Sequence, residues 1–299
     1  MLDVIKLSPH CTDYIWGGTK FLNWGKKSSL SRIAECWEVS LHEAGSSIIA
    51  SGKYDGKKLK DVLTSLDIGN KANQFPFFPI LVKLIDAKDN LSIQVHPSDE
   101  YALKYENSFG KTEMWYVLEN EPGAVLYVGF NKDTSKEEVE ERIKNNTIIE
   151  ILNKIEVKPG ECYFIPSGTI HAIGKGVTVL EVQQNSNLTY RVYDYGRVGT
   201  DGKPRELHIE KALKVLNYHR YDVKPTTDSL LARCSYFTSY LSSKKEIIAD
   251  NNSFKTFTVI SGEGSVNGIA AKKGDSFFIP ANKKATLEGN LKYVLTYID

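Results

Sequence analysis

The residues best suited to chemistry lie in three separated segments. In Leu91-Ser92-Ile93-Gln94-Val95-His96-Pro97, strand alternation puts Gln94 and His96 on one face, and Pro97 ends the strand or holds it at an edge. Lys111-Thr112-Glu113-Met114-Trp115-Tyr116 sets a carboxylate at the start of a second strand. Ile165-Pro166-Ser167-Gly168-Thr169-Ile170-His171-Ala172 delivers an imidazole just after a turn that enters a third strand. Singly, each piece also suits a structural role: a histidine beside a proline, a surface carboxylate, a core amide. As a set, Gln94, His96, Glu113 and His171 offer an amide oxygen, two imidazoles and a carboxylate. That is a donor set for a divalent ion, and zinc suits imidazole well.

The elements that must carry these residues are mostly strands. Short apolar runs rich in Val, Ile, Tyr and Phe occur at 77–84, 91–95, 114–118, 124–128, 162–165 and 177–182, bounded by Gly, Pro, Asn or Asp. Helical spacing is confined to 59–66, 136–144, 148–154 and 206–216. The second of these has a start signal, with Thr134 and Ser135 as candidate N-caps and Glu137 and Glu138 three residues after them. Many strands with few helices predict a mainly β protein, a jelly roll or barrel with peripheral α-helices.

One internal similarity predicts two related barrels. Lys158-Pro159-Gly160-Glu161-Cys162-Tyr163-Phe164-Ile165-Pro166 resembles Lys272-Lys273-Gly274-Asp275-Ser276-Phe277-Phe278-Ile279-Pro280. Each reads as a glycine turn, an acidic residue, a strand and a proline. Five residues past the proline stands His171 in the first copy and Ala285 in the second, so only the first barrel is expected to bind metal. The polar connector 221–228, with Pro225, sets the expected boundary: a metal-binding domain over 1–222 and a β-domain without ligands over 223–299.

These motifs resemble a known family. LSIQVHP (91–97), GKTEMW (110–115), FIPSGTIHA (164–172), the region of YRVYDYGR (190–197), Trp16-Gly17-Gly18 and Ala34–Ser40 look like signatures of type I phosphomannose isomerases, in order over about 8–200. The likeness is greatest to the short bacterial form without the large helical insertion, and its two-motif layout is that of a cupin. The resemblance implies two cupin-like jelly-roll barrels and one Zn2+ per chain held by Gln94, His96, Glu113 and His171. It also implies interconversion of mannose 6-phosphate and fructose 6-phosphate through an enediol(ate). Glu181, ten residues before Arg191 as in the family pattern, is the expected proton-transfer base, and Arg191 the active-site arginine. His42 is a second acid–base or ring-opening candidate. Lys83 lies eleven residues before Gln94, where the family has a lysine; with Ser92 and Lys111 it is expected to contact the phosphate. On residue type alone, Glu181 also suits a solvent-facing strand, and Arg191 an ion pair with Asp194. Asn187 departs from the aspartate that many relatives carry four residues before the arginine, so it can hydrogen-bond but not act as an acid or base.

Composition bounds the alternatives. The chain has 299 residues with Lys+Arg 38 against Asp+Glu 37, a net charge of +1, which gives no electrostatic case for nucleic acid or an anionic membrane. No run approaches the ~18 apolar residues of a membrane span, and Met1-Leu2-Asp3-Val4 lacks the pattern of a secretory leader. Cys11, Cys36, Cys162 and Cys234 are scattered without a CxxC pair and are expected to be reduced thiols of a cytoplasmic protein. A small sugar phosphate is the expected partner, and a monomer or weak homo-oligomer the expected state. The competing readings are a non-catalytic sugar-phosphate-binding cupin and another metal-dependent cupin enzyme.

Overall fold

The computed structural model describes residues 2–199 and 202–299, and these are mainly β. Two antiparallel sheets enclose the first barrel. A six-stranded sheet runs in the order Cys162–Ile165, Glu113–Asn120, Val177–Gln184, Ile80–Asp86, Glu35–Val39, His10–Thr12. Facing it, a five-stranded sheet runs Leu152–Glu156, Val125–Phe130, His171–Ile173, Ile93–Val95, Tyr190–Tyr193. A second pair, of seven and four strands, forms the other barrel. Its seven-stranded sheet is built mostly from residues after 223, but Ile5–Ser8 and Ile48–Ile49 pair onto it, with Ile5 opposite Phe278. The second barrel's interior is filled by Phe257, Phe277, Tyr293, Leu287 and their neighbours.

The six-stranded sheet is covered on both faces, which explains its composition. Ile80, Val82 and Leu84, with Leu180 and Val182 on the adjoining strand, pack against Phe254, Phe278 and Val294 of the second barrel. Ile85, Val177 and Val179 face the first barrel's interior. Ile80–Asp86 and Val177–Gln184 are therefore buried at every position. Lys83 and Glu181, directly opposite each other in register, point to the interior side between those apolar residues. A solvent-facing role for Glu181 is thereby ruled out.

The predicted repeat is a shared turn. Gly160 and Gly274 both take positive φ, +96° and +89°, where glycine has no steric penalty. Glu161 and Asp275 each accept from the backbone N–H three residues earlier, Lys158 at 2.8 Å and Lys272 at 2.9 Å. The strands Cys162–Ile165 and Ser276–Ile279 follow. Ala285 is fully buried in the second barrel's core, among apolar neighbours.

Helices are few. Lys136–Lys144 begins where its cap requires, with the Ser135 hydroxyl accepting from Glu138 N–H. Ile209–Val215 packs beside Tyr190–Tyr193. The segment 148–154 departs from its predicted helix: Ile148–Ile151 is one 3-10 turn, and Leu152–Glu156 pairs with Val125–Phe130 as a strand. Its apolar spacing fits either state over so short a run, and sheet pairing decides. Asp99–Tyr105, capped by Ser98, is a helix not read from the sequence. No described helix is long and apolar enough to cross a membrane.

Candidate active site

Strand register assembles the first group of residues. In the five-stranded sheet, Gln94 lies between His171 on one neighbouring strand and Arg191 on the other. In the six-stranded sheet, Glu181 lies between Lys83 and Trp115, and Gln183 is opposite Glu113. The two sets face each other across the barrel interior. His96 Nε2 and His171 Nε2 are 3.2 Å apart, Glu113 Oε1 is 3.2 Å from His171 Nε2 and 3.8 Å from His96 Nε2, and the Gln94 carboxamide is 3.3 Å from His171 Nε2. His96, Glu113 and His171 are essentially fully buried.

Tautomers follow from the partners. His96 Nδ1 lies 2.8 Å from Leu188 O, and His171 Nδ1 lies 2.8 Å from Thr169 O. A carbonyl only accepts, so both Nδ1 atoms carry the proton. Burial, followed for His96 by the charge of Lys111, pushes both rings below the usual imidazole range, His171 to about 3, so both are neutral. Two Nε2 lone pairs and a carboxylate oxygen then point at one another. Among the described residues, Glu113 Oε1 has no hydrogen-bond donor. Lys111 and the Gln94 carboxamide partly compensate the two Nε2 atoms, but a buried carboxylate oxygen left without a donor is unfavourable, and the ring N–H groups anchored on carbonyls hold the imidazoles as a metal site requires. The residues present therefore fit a divalent ion, with His96, Glu113 and His171 as the core. Gln94 would join only through Oε1 after a turn of its carboxamide, whose nitrogen faces His171 and whose oxygen accepts from Ser92 Oγ at 3.3 Å. Among the described residues, this is the one cluster of His, Cys, Asp and Glu side chains with that geometry.

Beside it lies a ladder of alternating charge. Lys111 Nζ is 2.6 Å from Glu113 Oε2, 3.2 Å from His96 Nε2 and 3.6 Å from Glu181 Oε1. Lys83 Nζ is 3.5 Å from Glu181 Oε1 and 3.4 Å from Glu35 Oε2, and it stands over the Trp37 ring. Glu181 Oε2 accepts from Trp115 Nε1 at 2.8 Å. Burial alone would raise the Glu181 carboxyl, but Lys111, Lys83 and the indole outweigh it and hold the group ionised.

The centre opens into a cavity of about 470 Å3 lined by Gln94, Ser92, Lys83, Lys111, Glu181 and Arg191 among others. His42 is not on that lining. It packs edge-on against Trp37, with ring centroids 5.5 Å apart, and its Nδ1 accepts from Ala44 N–H, so its proton is on Nε2. Asn187 is on the lining. The ion pair considered for Arg191 with Asp194 does not form: Asp194 binds Arg197 and Arg205 instead, each through Oδ1 at 2.5 Å. Among the described residues, the Arg191 guanidinium has no carboxylate within 4.0 Å.

Several lining residues carried no readable signal. Arg205 and His208 reach the cavity because the chain before Ile209–Val215 pairs with the Arg191 backbone: His208 N–H donates to Arg191 O at 2.7 Å, and Arg191 N–H to His208 Nδ1 at 3.2 Å. Glu35, Tyr14 and His10 arrive on the last two strands of the six-stranded sheet and the segment between them. The Trp16-Gly17-Gly18 signature has a packing reason, since a Cβ on Gly18 would sit 2.1 Å from Asp86 Oδ2.

Comparison with known proteins bears on the whole chain. Residues 4–132 match the family model of the phosphomannose isomerase type I catalytic domain, and residues 226–298 that of the mannose-6-phosphate isomerase cupin domain. The chain is 35% identical over 307 residues to mannose-6-phosphate isomerase ManA of Bacillus subtilis (strain 168), covering 97% of each. It is 34% identical over 304 residues to mannose-6-phosphate isomerase of Streptococcus mutans serotype c, covering 95% of this chain and 94% of that one. The crystal structure of mannose 6-phosphate isomerase from Bacillus subtilis superposes with a TM-score of 0.88 at 33% identity, covering 99% of this chain and 100% of the other.

Proposed function

The chain belongs to the type I phosphomannose isomerases, and from that premise we propose that it interconverts D-mannose 6-phosphate and D-fructose 6-phosphate by moving a proton between C1 and C2. The observation that carries this reading is the convergence of two neutral imidazoles and a donor-free carboxylate oxygen beside Glu181 and Arg191. We assign Gln94, His96, Glu113 and His171 as ligands of one zinc ion. Zinc bound there would supply a Lewis acid for the sugar oxygens.

The chain's own residues do the rest. Glu181, ionised and anchored by Trp115, accepts the proton in transit. His42, outside the lining, is the second acid–base candidate, for ring opening. Arg191, with no carboxylate partner among the described residues, stabilises developing negative charge on the substrate oxygens. Lys83, Ser92 and Lys111 contact the substrate, and the lysines also keep Glu181 ionised. Arg205, which lines the cavity on its Asp194 anchor, adds a further cationic contact for the substrate. The enzyme works in the cytoplasm as a monomer or weak homo-oligomer. We retain 1–222 as the metal-binding unit and 223–299 as the second domain, with Ile5–Ser8 pairing across to it.

A coupled assay for fructose 6-phosphate tests the reading. Turnover of mannose 6-phosphate that a chelator abolishes and added zinc restores supports it. Metal-bound protein that binds the sugar phosphate without turnover returns the chain to the binding-only reading.

A further inference from the structure

We propose that Cys11 and Cys36 form a reversible dithiol–disulfide switch, closed by hydrogen peroxide, on the outer face of the cavity wall. The two thiols touch, with Sγ atoms 3.3 Å apart, and both are free. They are direct register partners on the antiparallel strands His10–Thr12 and Glu35–Val39. Such partners have Cα atoms about 4.5–5.5 Å apart, inside the range of about 4.4–6.8 Å that a disulfide spans. Closure needs the sulfurs to approach by about 1.2 Å, to the ~2.05 Å of the bond. The other two cysteines have no such partner among the described residues: Cys162 Sγ lies against Met114 Sδ, and Cys234 Sγ against Phe237 O.

Access divides the roles. Cys11 is half-buried on a surface cleft beside Lys27 and Glu43, whereas Cys36 is fully buried. The contact with Cys36 lowers the Cys11 thiol from its ordinary range, which favours it as the thiolate. Cys11 attacks peroxide; the O–O bond breaks, hydroxide leaves, and a sulfenic acid forms. Cys36 then attacks that sulfur, forming S–S and releasing the sulfenic oxygen as water. In sum, two thiols and one peroxide give one disulfide and two waters. A dithiol reductant reverses it by exchange.

The switch reaches the site because side chains alternate along a strand. While Cys11 and Cys36 face away from the cavity, His10, Thr12, Glu35 and Trp37 line it. Glu35 Oε2 accepts from Trp37 Nε1 at 2.7 Å and pairs with Lys83, which faces Glu181. Drawing the two strands together shifts this wall.

The test uses the whole zinc-loaded protein, titrated with hydrogen peroxide, alkylated and mapped without reduction. The expected result is a Cys11–Cys36 linked peptide that dithiothreitol opens, with a several-fold change in KM that returns on reduction. Cys11→Ser should keep its basal activity and lose the response; Cys36→Ser serves if that variant folds poorly. Absence of the linked peptide overturns the proposal, as does a linked peptide with unchanged kinetics, or a Cys11→Ser protein as peroxide-sensitive as the parent. The kinetic arm rests on the isomerase reading and the peptide arm does not, so a chain without that activity would still form the link.

Discussion

Lys26→Met should destabilise the junction between the barrels by an amount that depends on pH. Lys26 Nζ is 2.6 Å from Glu38 Oε1 and donates to Gly274 O at 2.6 Å, while Ser276 Oγ donates to Glu38 Oε2 at 2.9 Å. Glu38 is fully buried, on the strand that also brings Glu35 and Trp37 to the cavity. Removing the ammonium leaves a buried carboxylate with one hydroxyl donor, which costs about 3–5 kcal/mol. At about 2 °C per kcal/mol, suited to a long chain, Tm falls by roughly 6–10 °C. Burial, the largest influence, already raises the Glu38 carboxyl, with Lys26 opposing it, so the variant raises it further. Between the unfolded value, about 4.3, and that raised value, the native state binds more protons than the unfolded one. Stability therefore falls as pH climbs through the window and is recovered below it. Thermal melts of parent and variant at pH 5 and pH 8 read the effect, and the deficit should be smaller at pH 5. A drop below about 2 °C at pH 8, or an equal deficit at both pH values, would refute the reasoning. Lys26→Met with Glu38→Leu should regain most of the loss, because a neutral apolar pair removes the stranded charge.

Arg191→Lys should lower turnover by about tenfold or more, since a point charge replaces a planar fork; unchanged steady-state kinetics would remove Arg191 from the mechanism. Glu181→Gln should keep its metal yet lose isotope exchange at C2, and exchange at the parent rate would put the base elsewhere. Asp194→Asn should raise KM more than it lowers kcat, because Arg205 loses its anchor while the metal ligands are untouched; an equal loss in both would argue that Arg205 does not bind substrate. In a chain ending at residue 222, Ile5–Ser8 would lose Ser276–Ile279 as a partner, so we expect insoluble protein; a folded, active product would show the first barrel to be independent.

The segments that converge on the candidate metal centre were legible because they are local. Gln94 and His96 share a strand face by alternation, and His171 follows its turn directly. The repeated glycine turn was readable for the same reason, since Gly160 and Gly274 obey one conformational need. What was not legible depends on long-range packing. The burial of Glu181 and Lys83, residues named from the family resemblance, is one case: they sit on strands covered on both faces, where apolar neighbours on either side erase the alternation that marks a half-exposed strand. Asp194 looked like a partner for Arg191, three residues away, yet it takes Arg197 and Arg205 instead. Arg205 and His208 have no motif of their own and enter the site through the bonds of His208 to the Arg191 backbone and the Asp194 anchor of Arg205. The contact between Cys11 and Cys36 likewise depends on register, which their separation in sequence does not reveal.

Metal analysis of the purified chain beside His171→Asn tests the central claim most directly. The account predicts about one zinc ion per parent chain, with metal and isomerase activity lost together in the variant while its fold, read by circular dichroism, is kept. A metal-free parent with full activity, or a variant that retains both zinc and turnover, would contradict it.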